Sequence, residues 1–161
     1  NTVNPQVHVD GTLIETCFAP EDECGLQIAE LLFTAEKSIH FMAFSFTHDD
    51  MGEVIRERAD EGVLVRGVFE TRSSETDYSE FYDMLKDHLD VYQDGNPYTL
   101  HHKVFIIDES IVVMGSFNFS TNADESNDEN ILIIHNEDIA AAYLMEFERT
   151  YELAETKPYE K

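Results

Sequence analysis

Apolar residues along the chain fall into short β-branched runs separated by stretches with helical spacing. Val104 to Ile107 and Ile111 to Met114 are two such runs, parted only by Asp108-Glu109-Ser110, which predicts an antiparallel hairpin with both strands buried. Upstream, Ser38 to Phe46 and Val63 to Phe69 read as buried strands. Between them Met51, Val54, Ile55 and Ala59 form one helical stripe, opened by the capping residues of Thr47-His48-Asp49-Asp50 and stopped at Gly62. Residues 38–70 are therefore a βαβ unit with a parallel strand pair. Val7, Val9, Leu13 and Ile14 suggest extended chain around an Asp10-Gly11 turn, and Asp22 to Ala35 a core-facing helix through Ile28, Leu31, Leu32 and Ala35. A third helix is predicted over Tyr78–Leu89 with Phe81, Leu85 and Leu89 inward, followed by a short strand at Val91–Gln93 and a turn at Asp94-Gly95-Asn96-Pro97. Phe119–Asn127 reads as a loop, Ile131–Ile134 as a strand, and Glu137–Glu155 as a closing helix with Ala140, Tyr143, Leu144, Phe147, Tyr151 and Ala154 on one side. The ends, Asn1 to Pro5 and Thr156 to Lys161, are expected to be a lead-in tail and a frayed terminus. The class is α/β: a layered mixed β-sheet flanked by helices, in one domain spanning 1–161.

The hairpin concentrates polar chemistry. If Asp108 faces Ile111 across a two-residue turn, Lys103 lies opposite Ser116 and His101 opposite Asn118. His101 and Lys103 share one strand face, and Ser116 and Asn118 join them, while His102 and Phe117 face the other way. An imidazole, an ammonium, a hydroxyl and a carboxamide at the end of a buried hairpin suit a tetrahedral phosphate, with the neutral imidazole able to attack phosphorus. The bland alternative is a satisfied polar patch at a strand end.

Charge changes the picture. The chain of 161 residues carries 34 acidic and 10 basic residues, a net −24. Such a field slows association with anionic partners in ordinary buffer. One reading is a surface adapted to concentrated salt, because the acids are spread along the whole chain; the other is a small basic crevice in an acidic shell, suited to a neutral or zwitterionic substrate. No run approaches the ~20 apolar residues of a membrane span, and no signal-peptide pattern is visible. The chain opens at Asn1 without a methionine, so removed upstream sequence is expected.

His101-x-Lys103, four residues, Asp108, six residues, then Gly115-Ser116-x-Asn118 resembles the HKD signature of the phospholipase D superfamily without a gap. Asn127-Asp128-Glu129-Asn130 before Ile131-Leu132-Ile133-Ile134 is similar to the family's downstream carboxylate motif. Phe41 to Thr47 resembles the strand before its first crossover helix. The resemblance implies a phospholipase D-like fold and a phosphodiesterase working through a phosphohistidine, without cofactor or metal. It assigns His101 as nucleophile, Lys103, Ser116 and Asn118 as the phosphate-binding groups, and Glu129 as the carboxylate orienting His101. Asp108 belongs to the signature set, but its place at the turn suggests a structural carboxylate. The implied substrate is nucleic acid or phospholipid, with a nuclease-like activity favoured; a phospholipase or phosphatidyl transferase is the alternative, and a non-catalytic dimerisation or binding module the third reading. One signature copy covers one side of phosphorus. A second copy is therefore implied, either from a homodimer or from an upstream half of a longer parent.

Cys17 and Cys24 could close a short disulfide loop, remain free thiols, or join His8 in a zinc site, although their spacing matches no structural-zinc pattern. His8, His40, His48, His88 and His135 take structural roles by default. His48 and Arg72 are the ones to watch, because each follows a strand whose C-terminal end should open onto the crevice.

Overall fold

Phe41 is the residue around which the core closes. Its ring meets Phe46, Phe69 and Phe105 edge-on or tilted at 5.2–5.8 Å, and Gly67 on the neighbouring strand is bare because a Cβ there would fall 2.1 Å from the ring. In the computed structural model, which describes Thr2 and residues 5–156, this aromatic cluster lies under one face of an eight-stranded mixed sheet.

The chain enters through strands β1 (Gln6–Val9) and β2 (Thr12–Ala19), then helix α1 (Cys24–Phe33). The predicted βαβ unit follows as β3 (Ser38–Ala43), α2 (Asp49–Asp60) and β4 (Leu64–Phe69), and β3 and β4 are indeed parallel. Helix α3 (Glu80–Lys86) and β5 (Asp90–Gln93) lead into the hairpin of β6 (Lys103–Ile107) and β7 (Ile111–Gly115). Helix α4 (Thr121–Glu125), β8 (Glu129–His135) and α5 (Glu137–Thr156) complete the fold. The strand order is β1-β2-β8-β7-β6-β3-β4-β5, with β6 antiparallel to β3.

Alternation along the strands sends Ile39, Phe41, Phe105, Ile107 and Val113 into a core shared with α1, α2 and α3. Met42, Val104, Ile106 and Val112 go into a second core covered by α5 through Ala140, Phe147, Tyr151 and Ala154. The central strands are thus buried on both faces, as their unbroken apolar runs require.

Four details depart from the sequence reading. Helix α3 is seven residues rather than twelve, capped by Ser79, which accepts the Phe81 N–H, and followed by His88 in left-handed backbone; Met84, at i+3 from the buried Phe81, faces inward, and Leu85 at i+4 is 41% exposed. Part of the expected 119–127 loop is α4, capped by Ser120. His48, not a hydroxyl or carboxylate, occupies the α2 N-cap and makes no capping bond, leaving Asp49 and Asp50 to favour the helix dipole. The fourth is the hairpin register. Asp108 and Glu109 both take left-handed backbone (φ 52 and 56), Ser110 N–H donates to Ile107 O at 3.1 Å, and Ile107 pairs with Ile111. Asp108 is in the turn, not in the ladder, so continuing this register sets Lys103 opposite Gly115 rather than Ser116.

The turn is held from outside. The Asp108 carboxylate accepts the backbone N–H groups of Glu36, Lys37 and Ser38 at 2.7–3.2 Å, and Ser38 O accepts the Asp108 N–H. Burial pushes its pKa up, but the N–H groups of Glu36, Ser38 and Lys37 outweigh burial and hold it below the ordinary 3.8. The two cysteines are joined as a disulfide between the end of β2 and the start of α1, with Cα atoms 5.8 Å apart, which removes the free-thiol and zinc readings. The expected frayed stretch beyond Thr156 lies outside the described residues, as does most of the expected N-terminal tail.

Because the folded pKa of Asp108 is depressed, its stabilisation is fully present above the unfolded-state value and is lost as pH falls through the folded one. Asp108→Asn is expected to lower stability by about 1–3 kcal/mol at neutral pH, the order for weakening several hydrogen bonds to a charged, partly exposed acceptor. It should also flatten the loss of stability on acidification below about pH 4. Urea midpoints across that range check both; a variant matching wild type at neutral pH would remove the turn's pin.

Candidate active site

Strand directions create the site. Because β6 runs against β3, its first residues meet the ends of β3 and β4: Lys103 pairs with Ala43, and Phe44 N–H donates to His102 O at 2.8 Å. The Phe44 ring then lies 4.7 Å from the His101 imidazole and 4.9 Å from Lys103 Nζ, so one aromatic face supports both. His101 is exposed, whereas Lys103 is buried, and its ammonium donates to His101 O at 2.9 Å. Burial lowers the Lys103 pKa, opposed by the negative charge of Glu129. That places Glu129 within electrostatic reach of the lysine.

The other half of the edge is organised by β8. Ser116 N–H donates to Asn130 O at 3.1 Å, Asn130 N–H donates to Ser116 Oγ at 3.1 Å, and Ser116 Oγ–H donates to Glu129 Oε2 at 2.5 Å. Asn127 Nδ2 donates to the second oxygen, Oε1, at 3.0 Å. Ser116 reaches the patch through these bonds and not through the hairpin register expected from the sequence. Asn118 follows, with its Oδ1 buried and without a hydrogen-bond partner among the described residues. Gly115 is required by the close approach of the β8 backbone, since a Cβ there would sit 2.0 Å from Asn130 O.

Five of the six sequence candidates thus lie on one sheet edge: His101, Lys103, Ser116, Asn118 and Glu129. Asp108 does not. It sits at the far end of β6, roughly 16 Å of strand from Lys103, and acts on the fold. The orienting bond expected from Glu129 to the His101 Nδ1–H is not made within one chain; both Glu129 oxygens are engaged by Ser116 and Asn127. His48 is drawn away from the phosphate patch, its Nε2 3.9 Å from Asp124, whose carboxylate also accepts the Gly25 N–H at the start of α1. His40 packs on Phe147 and His135 bonds Glu15, both structural roles. Among the described residues no group of three or more His, Cys, Asp or Glu is placed to hold a metal ion. No helix among them is long and apolar enough to cross a membrane.

Sequence reasoning gave Phe44, Asn127 and Asn130 no role. Asn127 and Asn130 flank Glu129 in the quoted motif, so their spacing was visible. Phe44 carried no local signal, because its importance comes from the antiparallel pairing of β3 with β6.

A sheet between helical layers thus gathers histidine, lysine, hydroxyl, carboxamide and carboxylate on one edge. Residues 28–151 match the family described as "Cardiolipin synthase, PLD-like domain". The chain belongs to the phospholipase D superfamily. It is 33% identical over 131 residues to the phospholipase D of Rickettsia conorii, covering 81% of this chain and 66% of that protein. Over 137 residues it is 30% identical to the human mitochondrial cardiolipin hydrolase, covering 84% of this chain and 54% of that protein. The chain therefore spans between about half and two thirds of these relatives. In structure it is similar to Nuc of Salmonella typhimurium, a phospholipase D family member, with a TM-score of 0.83 at 25% identity over 92% of this chain and 99% of that one.

Gly115→Ala tests the close approach of β7 and β8. The added methyl has only backbone to displace, so the pair must separate at Ser116 and Asn130, with an expected loss of about 1–3 kcal/mol. Faster amide exchange at Ser116 and Asn130, with Asp108 unaffected, is the expected signature; protection equal to wild type would contradict it.

Proposed function

We propose that this chain cleaves phosphodiester bonds through a covalent phosphohistidine, as a nuclease-like enzyme. The observation that carries the reading is the convergence of His101, Lys103, Ser116 and Asn118 on one edge, backed by Glu129. A neutral imidazole nitrogen of His101 attacks phosphorus, forming the N–P bond as the P–O bond to the leaving group breaks. Lys103 supplies positive charge to the non-bridging oxygens, and the Ser116 hydroxyl and the Asn118 carboxamide supply neutral donors. Water then displaces the histidine and releases the phosphomonoester.

The leaving oxygen needs a proton from the opposite side of phosphorus, and one sheet edge reaches only one side. A second copy of the signature supplies it. In a closed twofold pairing the histidine of one copy attacks and that of the other donates the proton, across a shared cleft. Glu129 then orients an imidazole in the assembled cleft, where its bond to Ser116 can be exchanged. The relatives named phospholipase D and cardiolipin hydrolase favour a second reading, a lipid phosphodiesterase working with the same residues. The likeness to Nuc favours the nuclease-like one.

Two measurements test this. Brief reaction with a radiolabelled phosphodiester and acid-free quenching should trap label on His101, with turnover unchanged by EDTA, because nucleophile and charge stabilisation are both side chains. Mixing wild type with excess His101→Ala should lower activity per wild-type chain as hybrid sites form. Full specific activity from a strictly monomeric species would overturn the shared cleft.

The net charge generates a further expectation. Self-repulsion at −24 is relieved as the Debye length falls from about 10 Å at 0.1 M salt to about 3 Å at 1 M. Stability and activity on anionic substrates should therefore both rise toward about 2 M potassium chloride. A melting temperature unchanged or falling over that range would contradict a salt-adapted surface.

A further inference from the structure

Arg72 stands out among the cations. Of the five arginines, Arg56, Arg58, Arg66 and Arg149 are each in an ion pair with a glutamate, whereas Arg72 has no carboxylate within ion-pair distance among the described residues. In a chain with 34 acids this is unusual, and Arg72 is exposed on the edge that carries His101. Its position is fixed by a buried bracket. The Glu70 carboxylate, 6% exposed, accepts the Leu100 N–H at 2.7 Å and the Arg72 N–H at 3.5 Å, joining the end of β4 to the residue before His101. Thr71 Oγ1–H donates to Asp94 O at 3.0 Å and Gln93 Nε2 donates to Ser74 Oγ at 2.8 Å, stitching the same two loops together.

Across the resulting shallow crevice from Arg72 lie Asn96, Tyr98 and Thr99. Tyr98 is 79% exposed, and its N–H donates to Asn96 Oδ1 at 3.0 Å, so a local turn presents the ring to solvent. It is three residues from His101, roughly 10 Å of chain at most. A guanidinium outside the ion pairs formed among the described residues, beside an exposed aromatic ring, is the combination that binds single-stranded nucleic acid: the charge takes a phosphate and the ring takes a base. A lipid would seek apolar walls for its chains, and this crevice is polar. Glu70 also lines this crevice, but its carboxylate is engaged by the backbone N–H groups of Leu100 and Arg72, which offset part of its charge toward an anion there.

We propose that Arg72 and Tyr98 form a subsite for the nucleotide next to the scissile phosphate, with Arg72 on its phosphate and Tyr98 stacked on its base. This rests on the nuclease-like reading above and adds a specificity determinant to it. In the full chain, Arg72→Ala and Tyr98→Ala should each lower kcat/KM for a single-stranded oligonucleotide about tenfold more than for bis(p-nitrophenyl) phosphate, which has no adjoining nucleotide. Tyr98→Phe should restore most of the loss. Lys86→Ala, which removes an exposed cation at the end of α3 outside this crevice, serves as the charge control and should leave both activities near wild type. Equal losses on both substrates, or an oligonucleotide loss no larger than that of Lys86→Ala, would overturn the subsite. So would an equal dependence on Arg72 in hydrolysis of phosphatidylcholine vesicles, which would reassign the crevice to a lipid headgroup. If wild type cleaved no phosphodiester, the functional reading would fail while the subsite stayed testable. Fluorescence anisotropy of a labelled oligonucleotide on the His101→Ala protein would then decide: weaker binding after Tyr98→Ala supports the subsite, and unchanged binding overturns it.

Discussion

Everything at the candidate edge depends on the antiparallel seating of β6 against β3. β6 is buried on both faces and hydrogen-bonded along both sides, so its register with β3 has no freedom to slip without turning Phe105 and Ile107 out of one core and Ile106 out of the other. That register sets Lys103 beside Ala43, and so brings His101 and Lys103 onto the Phe44 ring. Asp108 pins the other end of the same strand. A signature that spans both ends of one strand therefore encodes two separate tasks, anchoring at the turn and chemistry at the opposite edge.

β8 has the corresponding role for the second half of the site. Its backbone comes close enough at Asn130 to exclude any side chain from Gly115, and the reciprocal bonds between Ser116 and Asn130 then fix the hydroxyl against Glu129. The parts of the site are held by strand ladders and by hydrogen-bonded carboxylates. Glu70 repeats the device, with a buried carboxylate satisfied by backbone N–H groups tying one loop to the next.

Much of this was legible in the sequence because it is local. The βαβ unit, the hairpin strands and the closing helix follow from apolar spacing, and His101, Lys103, Ser116, Asn118 and Glu129 from the resemblance and their proximity in the chain. What could not be read was set by tertiary partners. The hairpin register turned on Asp108, whose carboxylate is claimed by Glu36, Lys37 and Ser38, some seventy residues away in sequence. Phe44 gained its place from strand pairing, and the disulfide was one of three chemistries the spacing of Cys17 and Cys24 allowed. The inward side of α3 was not legible because Met84 and Leu85, at i+3 and i+4 from Phe81, are equally apolar, and only packing against the core separates them.

The two faces of the sheet are covered very differently. α1, α2 and α3 share one, but Met42, Val68, Val104, Ile106 and Val112 rely on α5 alone. α5 is the last element of the fold in chain order, so on the ribosome this apolar face stays bare until Glu137–Thr156 has emerged. During that interval the nascent chain presents a broad sticky surface and two open sheet edges, the conditions for capture by chaperones or for clumping with its neighbours. Interrupted synthesis shortly before α5 would accordingly yield an insoluble product and not a smaller working domain.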